Sequence, residues 1–307
     1  MVLVMQVIRC RAQIVPRERL KAGPEACETL EMEQVSKQIE KGQSFRALHE
    51  RGRAFLIPNP WDTGTARLLA HLGFEALATT SAGYAFSAGQ RDNTIDRARM
   101  MAHVSAIVAA TDLPVSADLE NGFGDAPEVV AETIRPAAAA GAVGGSIEDS
   151  TQRPGQPIYE QARAVERIRA AAEAARALPF AFTLTARAEN YLVGRPDLED
   201  TIQRLQAYQM AGADVLYAPG LTSKEDIAAV VRSVDRPVNV VMGLQGVQLT
   251  LAELSAIGVR RVSVGCALSR AALGAFLRAA REMRERGTFT FADEAVSYRE
   301  LSAMFDA

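Results

Sequence analysis

The 307-residue chain has three cysteines, and Cys10, Cys27 and Cys266 are scattered in an odd count without metal-ligand spacing. That excludes a disulfide framework and a cysteine zinc site, and it fits a reduced, cytoplasmic setting. Histidine is equally scarce. His49, His71 and His103 all fall in segments with helical patterning, away from strand ends, where they read as packing or surface residues. No apolar run approaches the roughly 18 residues that a membrane-spanning helix requires. Neither sign of charge dominates: 34 basic and 37 acidic residues are mixed along the chain, which argues against nucleic acid or an anionic membrane as partner. No Gly-x-Gly-x-x-Gly opens a helix after the first strand, so dinucleotide binding has no support.

What is present is a repeat. From Ala54 onward a short apolar run, a turn and an Ala-rich amphipathic segment recur eight times. The strand-like runs are Ala54–Pro58, Ala76–Ser81, Pro114–Glu120, Gly144–Glu148, Ala181–Arg187, Val215–Pro219, Pro237–Met242 and Arg261–Gly265. Near-continuous apolar strands alternating with helices predict a parallel sheet covered on both sides. Gly73, Gly141, Gly212 and Gly258 each follow a helical segment, where a left-handed residue ends the helix before the next strand. Eight such units predict a (β/α)8 barrel over residues 41–290. Residues 1–40 read as an N-terminal extension, poorly ordered, and 291–307 as a C-terminal helical tail. Val2–Ile8 is apolar, but Arg9 and Arg11 follow it instead of preceding it, the wrong order for a secretory signal.

A barrel carries its chemistry at the C-terminal ends of its strands, and polar residues gather there: Asn59, Trp61, Ser81, Asp118, Glu120, Glu148, Asp149, Arg187 and Glu189. Carboxylates that close an apolar strand are costly to bury as anions unless a cation joins them. Asp118 and Glu120 are two apart on an extended strand, so both side chains point to the same side, and Glu148 adds a third carboxylate from the next strand. With no His or Cys in these strand ends, the donor set suits Mg2+ over Zn2+, with Mn2+ as an alternative. Arg187 suits a substrate carboxylate as a bidentate partner. Thr79–Gly83 offers backbone N–H groups to an oxyanion.

The set Ser81-Ala-Gly, Arg91-Asp92, Asp118-x-Glu120-x-Gly-x-Gly124, Ile147-Glu148-Asp149 and Ala186-Arg187 resembles the isocitrate lyase/phosphoenolpyruvate mutase superfamily, in order, over about residues 45–290. The resemblance implies a (β/α)8 barrel, often with its eighth helix swapped between subunits of a homodimer or homotetramer. It implies a Mg2+-dependent carbon–carbon lyase acting through an enolate on a small 2-hydroxy or 2-oxo di- or tricarboxylate of the isocitrate or methylisocitrate type. Oxaloacetate decarboxylation, phosphonopyruvate mutase or hydrolase chemistry, and a non-catalytic oxo-acid-binding barrel are the alternatives. By the same resemblance Asp118 is the direct metal ligand, joined by Glu120 and Glu148 directly or through water. Ser81, Ala82 and Gly83 cradle the oxo acid, Arg187 grips it, and Trp61, Asp92 and Asn239 match substrate-side positions. Two departures stand out. Glu120 replaces the family aspartate. The loop Asp149–Tyr159, expected to close over substrate, has none of the family's Cys, Lys or His, which leaves Tyr159, Arg153 and Glu189 as acid/base candidates beside Glu148.

Overall fold

The computed structural model describes residues 24–306, so the apolar segment Val2–Ile8 lies outside it. Helix α1 (Pro24–Glu50) precedes eight parallel strands: β1 (Phe55–Ile57), β2 (Leu77–Ala78), β3 (Val115–Asp118), β4 (Gly144–Glu148), β7 (Thr183–Arg187), β8 (Val215–Tyr217), β9 (Val238–Val241) and β10 (Arg261–Ser263). Between β4 and β7 a small antiparallel hairpin, β5 (Ser150–Arg153) and β6 (Gln156–Ile158), stands apart from the main sheet.

The main sheet runs in the order β2-β3-β4-β7-β8-β9-β10-β1. The Ala78 N–H donates to the Pro58 carbonyl at 3.1 Å and joins the two edge strands, closing the (β/α)8 barrel. Asn59 reinforces that seam. Its side-chain N–H donates to the Thr79 carbonyl at 3.0 Å, and its Oδ1 accepts the N–H groups of Val264 at 3.0 Å and Gly265 at 2.9 Å. One amide thus ties together the loops after the first, second and eighth barrel strands.

The outer helices are α2 (Thr63–His71), α3 (Ser81–Ser87), α4 (Arg97–Ala109), α5 (Pro127–Ala139), α6 (Gln161–Arg176), α7 (Leu198–Ala211), α8 (Lys224–Arg232), α9 (Leu251–Ala256) and α10 (Ala267–Arg286). Side-chain caps fix the starts of most of them, whereas α5, α6 and α10 begin without one. Asp62 and Thr65 form a reciprocal capping box on α2, as do Thr250 and Glu253 on α9. Gly212 ends α7 at φ 105° and Gly141 follows α5 at φ 99°, the conformation that a β-carbon disfavours.

Two elements differ from the sequence expectation. Thr79–Gly83, read as a turn, continues into α3, because the Thr80 side chain accepts the Gly83 N–H and nucleates a helical turn. The expected loop at 150–158 is the β5–β6 hairpin, with Gln152 in the left-handed region at φ 61°.

Helix α1 closes the N-terminal end of the barrel. A β-carbon placed on Gly42 would lie 2.4 Å from the Ala181 carbonyl oxygen, and one on Gly144 would lie 2.9 Å from the ring of Phe45. Helix α10 behaves oppositely: of its twenty residues only Ser269 is buried. A 3-10 turn (Thr290–Glu294) and α11 (Tyr298–Phe305) follow, and α11 returns to α2, where Arg67 stacks on Phe305 at 5.4 Å.

Gly42→Ala should lower stability by about 2 kcal/mol through overpacking against a fixed backbone oxygen. Gly155→Ala, where a β-carbon meets nothing within 4 Å, should be neutral or stabilising by up to about 1 kcal/mol. Urea melts of the two variants check the pair; equal midpoints would mean α1 does not seat against the barrel.

Candidate active site

At the C-terminal end of the strands lies a cavity of about 520 Å³, lined in part by Ser81, Ala82, Asp92, Asp118, Glu148, Arg187, Glu189 and Asn239. Its centre is the Arg187 guanidinium. Nε donates to Glu189 Oε1 at 2.8 Å, Nη1 to Asp118 Oδ1 at 3.3 Å, and Nη2 approaches Glu148 Oε2 at 3.2 Å. The ring of Tyr217 lies 5.2 Å beneath the guanidinium carbon. The sequence-predicted residues Asp118, Glu148 and Arg187 are therefore assembled around one point.

Glu120 joins them by a different route from the one expected. Strand β3 stops at Asp118, and Glu120 sits at φ 49°, so simple strand alternation does not orient its side chain. The turn nevertheless brings the Glu120 N–H to Asp118 Oδ1 at 3.4 Å. Glu120 Oε2 accepts from the Gln152 amide at 3.3 Å, whereas buried Oε1 has no hydrogen-bond partner among the described residues. Burial, with Asp118 and Asp92 nearby, pushes the Glu120 carboxyl up to about 8. Glu148 is raised well above its ordinary range, first by burial, and Asp92 and Glu189 are raised by burial as well.

This cluster sets five carboxylates (Asp92, Asp118, Glu120, Glu148, Glu189) against one guanidinium. Among the described residues no three His, Cys, Asp or Glu side chains stand close enough to cage an ion alone. The fit is to a hard cation that keeps several waters and takes one or two direct carboxylates, which is how Mg2+ binds. The unpartnered Oε1 of Glu120 and the carboxyls that burial shifts upward fit the approach of such a cation.

Ser81, Ala82 and Gly83 form the first turn of α3, but their N–H groups are not equally free. Ser81 donates its N–H to Asp118 Oδ2 at 3.0 Å, and Gly83 gives its own to Thr80 Oγ1 at 3.3 Å. Ala82 lines the cavity, and no bond of its N–H to another described residue competes with a ligand. The Ser81 hydroxyl bonds Asp92. Trp61 and Gly83 stand behind this rim, with the Trp61 β-carbon 3.0 Å from where a Gly83 β-carbon would be.

Tyr159 is not brought to the cavity. Its hydroxyl donates to Asp125 at 2.5 Å, Arg167 covers its ring at 4.1 Å, and its hydroxyl is pushed up to about 12, by burial first and then by Asp125. This pairing fastens the base of the hairpin. Arg153 is likewise spent on Asp125, at 3.1 Å. Of the three acid/base candidates only Glu189 lines the cavity.

Other residues contribute in ways that spacing alone does not expose. Gln152 on the hairpin reaches Asn93 Oδ1 at 2.9 Å as well as Glu120, and so ties the hairpin to the loop before α4. Asp149, next to Glu148, is buried and accepts from Tyr208 at 2.6 Å, Arg204 at 3.0 Å and the Glu189 N–H at 2.8 Å. It thereby sets the residue that holds Arg187 Nε. Cys266, expected to pack, lines the cavity and is half-buried.

The raised Glu120 carboxyl makes metal-free stability depend on pH. The folded chain keeps a proton up to about pH 8 that the unfolded chain releases near its ordinary 4.5, so stability should fall as pH rises through that interval. In EDTA, Glu120→Gln should flatten this decline and melt higher than the parent at pH 8, by at most a few kcal/mol, with no advantage at pH 4. Parallel melting profiles would contradict the assignment.

Comparison with known proteins places this geometry. The family model for phosphoenolpyruvate phosphomutase matches residues 45–284. A crystal structure described as a lyase/mutase from Burkholderia cenocepacia J2315 is 68% identical, with a TM-score of 0.87 over 89% of this chain and 98% of that one. An oxaloacetate decarboxylase of Chromohalobacter salexigens is 31% identical over 78% of this chain and 84% of its own length. A phosphonopyruvate hydrolase solved with oxalate and Mg2+ is 27% identical, with a TM-score of 0.75 over 87% of this chain and 95% of that one. The chain belongs to the phosphoenolpyruvate phosphomutase family, within the PEP mutase/isocitrate lyase superfamily of (β/α)8-barrel lyases and mutases.

Proposed function

We propose that the protein is a Mg2+-dependent carbon–carbon lyase acting on a small 2-hydroxy or 2-oxo di- or tricarboxylate of the isocitrate or methylisocitrate type. The observation that carries this reading is the convergence of Asp118, Glu148 and Glu189 on Arg187 within 3.3 Å, at the mouth of a barrel cavity, beside a buried and unpartnered Glu120 oxygen. Asp118 would hold the ion directly, with Glu120 and Glu148 directly or through water. A bound Mg2+ would supply Lewis-acid stabilisation of charge developing on the carbonyl oxygen of the ligand.

The chain's own groups do the remainder. Arg187, locked on three sides, presents its N–H groups without reorganisation to the carboxylate or the developing oxyanion. The Ala82 N–H would meet the same ligand from α3, and the Ser81 hydroxyl holds Asp92 beside it. The hairpin, pinned by Gln152 and by Tyr159–Asp125, roofs the site and limits water. Cleavage of a 2-hydroxy acid would move its hydroxyl proton to the departing carbanion, and Glu189 and Asp92, which line the cavity outside the carboxylates assigned to the ion, would take up that proton and return it. Decarboxylation of oxaloacetate is the second reading. Its support is that the lining of the cavity includes no lysine or histidine.

Helix α10 supports a homo-oligomer. Leu273, Phe276, Leu277 and Met283 are exposed along it, a face that one chain does not cover. A homodimer or homotetramer with exchanged α10 helices accounts for that face.

With Mg2+, oxalate should bind the protein, and EDTA or Asp118→Ala should abolish the binding, read by calorimetry. Binding unchanged in the variant would remove the metal assignment. In sedimentation, Phe276→Glu with Leu277→Glu should reduce the oligomer to single chains; a monomeric parent would refute the interface.

A further inference from the structure

The interior of a barrel of this type is ordinarily filled by layers of branched apolar side chains. Here the wall below the carboxylate cluster is polar. Ser116, Ser146, Asn239 and Ser263 line the cavity, and at its floor lies Arg261, 5% exposed. Its charge has no acidic partner among the described residues. Nε donates to Asn239 Oδ1 at 2.9 Å, Nη2 to Thr185 Oγ1 at 2.9 Å, and Nη1 approaches His49 Nε2 at 3.5 Å.

All three acceptors are neutral. The Phe45 carbonyl can only accept, so His49 uses Nδ1–H toward it at 2.8 Å and leaves Nε2 bare for Arg261. Burial and the neighbouring arginine hold that imidazole uncharged, down to about 3. A guanidinium carries five N–H donors, and these contacts employ three. The other two belong to Nη1 and Nη2, on a side chain that borders the cavity.

A buried cation without a counter-ion costs several kcal/mol, and burial pulls Arg261 down to about 10. The sheet register connects it to the rim. Arg187, Tyr217, Asn239 and Arg261 are successive cross-strand partners on β7, β8, β9 and β10. The cavity therefore has two buried cationic poles, Arg187 at the mouth and Arg261 at the floor, with small hydroxyl and amide groups between, while the third lining arginine, Arg270, is exposed at the start of α10.

We infer that Arg261 is a specificity-determining residue that binds the distal carboxylate of the ligand, so that the cavity selects a 2-oxo or 2-hydroxy acid with a second carboxylate at the end of its chain. The inference rests on the reading that the oxo-acid head is held at Asp118 and Arg187. The distal carboxylate supplies the charge that Arg261 lacks and accepts its two unused N–H groups. His49, Asn239 and Thr185 fix the fork from behind, and His49 in particular is a positioning residue.

The test is calorimetric, with intact protein and Mg2+. Oxalate reports the head site alone; 2-oxoglutarate and 2-oxoadipate add a distal carboxylate, and 2-oxopentanoate and 2-oxohexanoate match their lengths without one. In the parent protein at least one diacid should bind 30-fold or more tighter than its monoacid partner. Arg261→Gln should erase that preference and leave oxalate affinity within threefold; Arg261→Lys should keep part of it. No preference for either diacid in the parent protein overturns the inference, whether or not a variant folds, as does a preference that survives Arg261→Gln. Failure of oxalate itself to bind would instead sink the reading of the head site.

Discussion

The ion-pair cluster on Arg187 is the constraint around which the rest of the barrel is arranged. A guanidinium shared by Asp118, Glu148 and Glu189 needs three carboxylates delivered from neighbouring strands and their loops, and parallel strands in register do this. Glu148 and Arg187 are direct cross-strand partners on β4 and β7, and Asp118 comes from β3 on the far side of β4. Removing one acid would leave the guanidinium N–H that it satisfies without its acceptor. Removing the arginine would leave carboxylates repelling one another at close range. The cluster is therefore a poor source of stability by itself. It is held in place by what surrounds it: the Asp149–Tyr208–Arg204 network behind Glu189, Ser81 on Asp118, and the hairpin above Glu120.

Charge balance then links structure to chemistry. A single buried cation at the mouth leaves an excess of acid, and the buried cation at the floor has no acid beside it among the described residues. Burial raises the carboxyls of the first group and lowers the basicity of the second. Both imbalances are relieved by the same kind of event: a divalent ion joining the acids, and an anionic ligand spanning the cavity between the arginines.

Much of this was legible in the sequence, for physical reasons. Apolar runs of four or five residues between Ala-rich helices can only be buried parallel strands, and the helix-ending glycines mark the repeat, so the barrel and most element positions follow. Asp118, Glu148 and Arg187 stand at strand ends, where a barrel exposes side chains, and were found by that position alone. What the sequence hides is where short-range periodicity ends. Glu120 lies past the end of β3 in a left-handed conformation, so its placement depends on the turn. Tyr159 follows the catalytic-side loop in sequence, yet the hairpin directs its hydroxyl to Asp125. Arg261 begins a strand and reads as a flanking charge; only barrel closure reveals that it points inward, against His49 from a helix more than two hundred residues earlier.

The central claim is that an ion and an oxo acid share the space between Asp118 and Arg187. Crystals of the protein grown with Mn2+ and oxalate, measured for anomalous scattering at the manganese edge, test it most directly. The account predicts one strong peak within roughly 2.2 Å of an Asp118 carboxylate oxygen, with oxalate lying between that ion and the Arg187 guanidinium. A cavity free of manganese, or oxalate bound away from both residues, would contradict it.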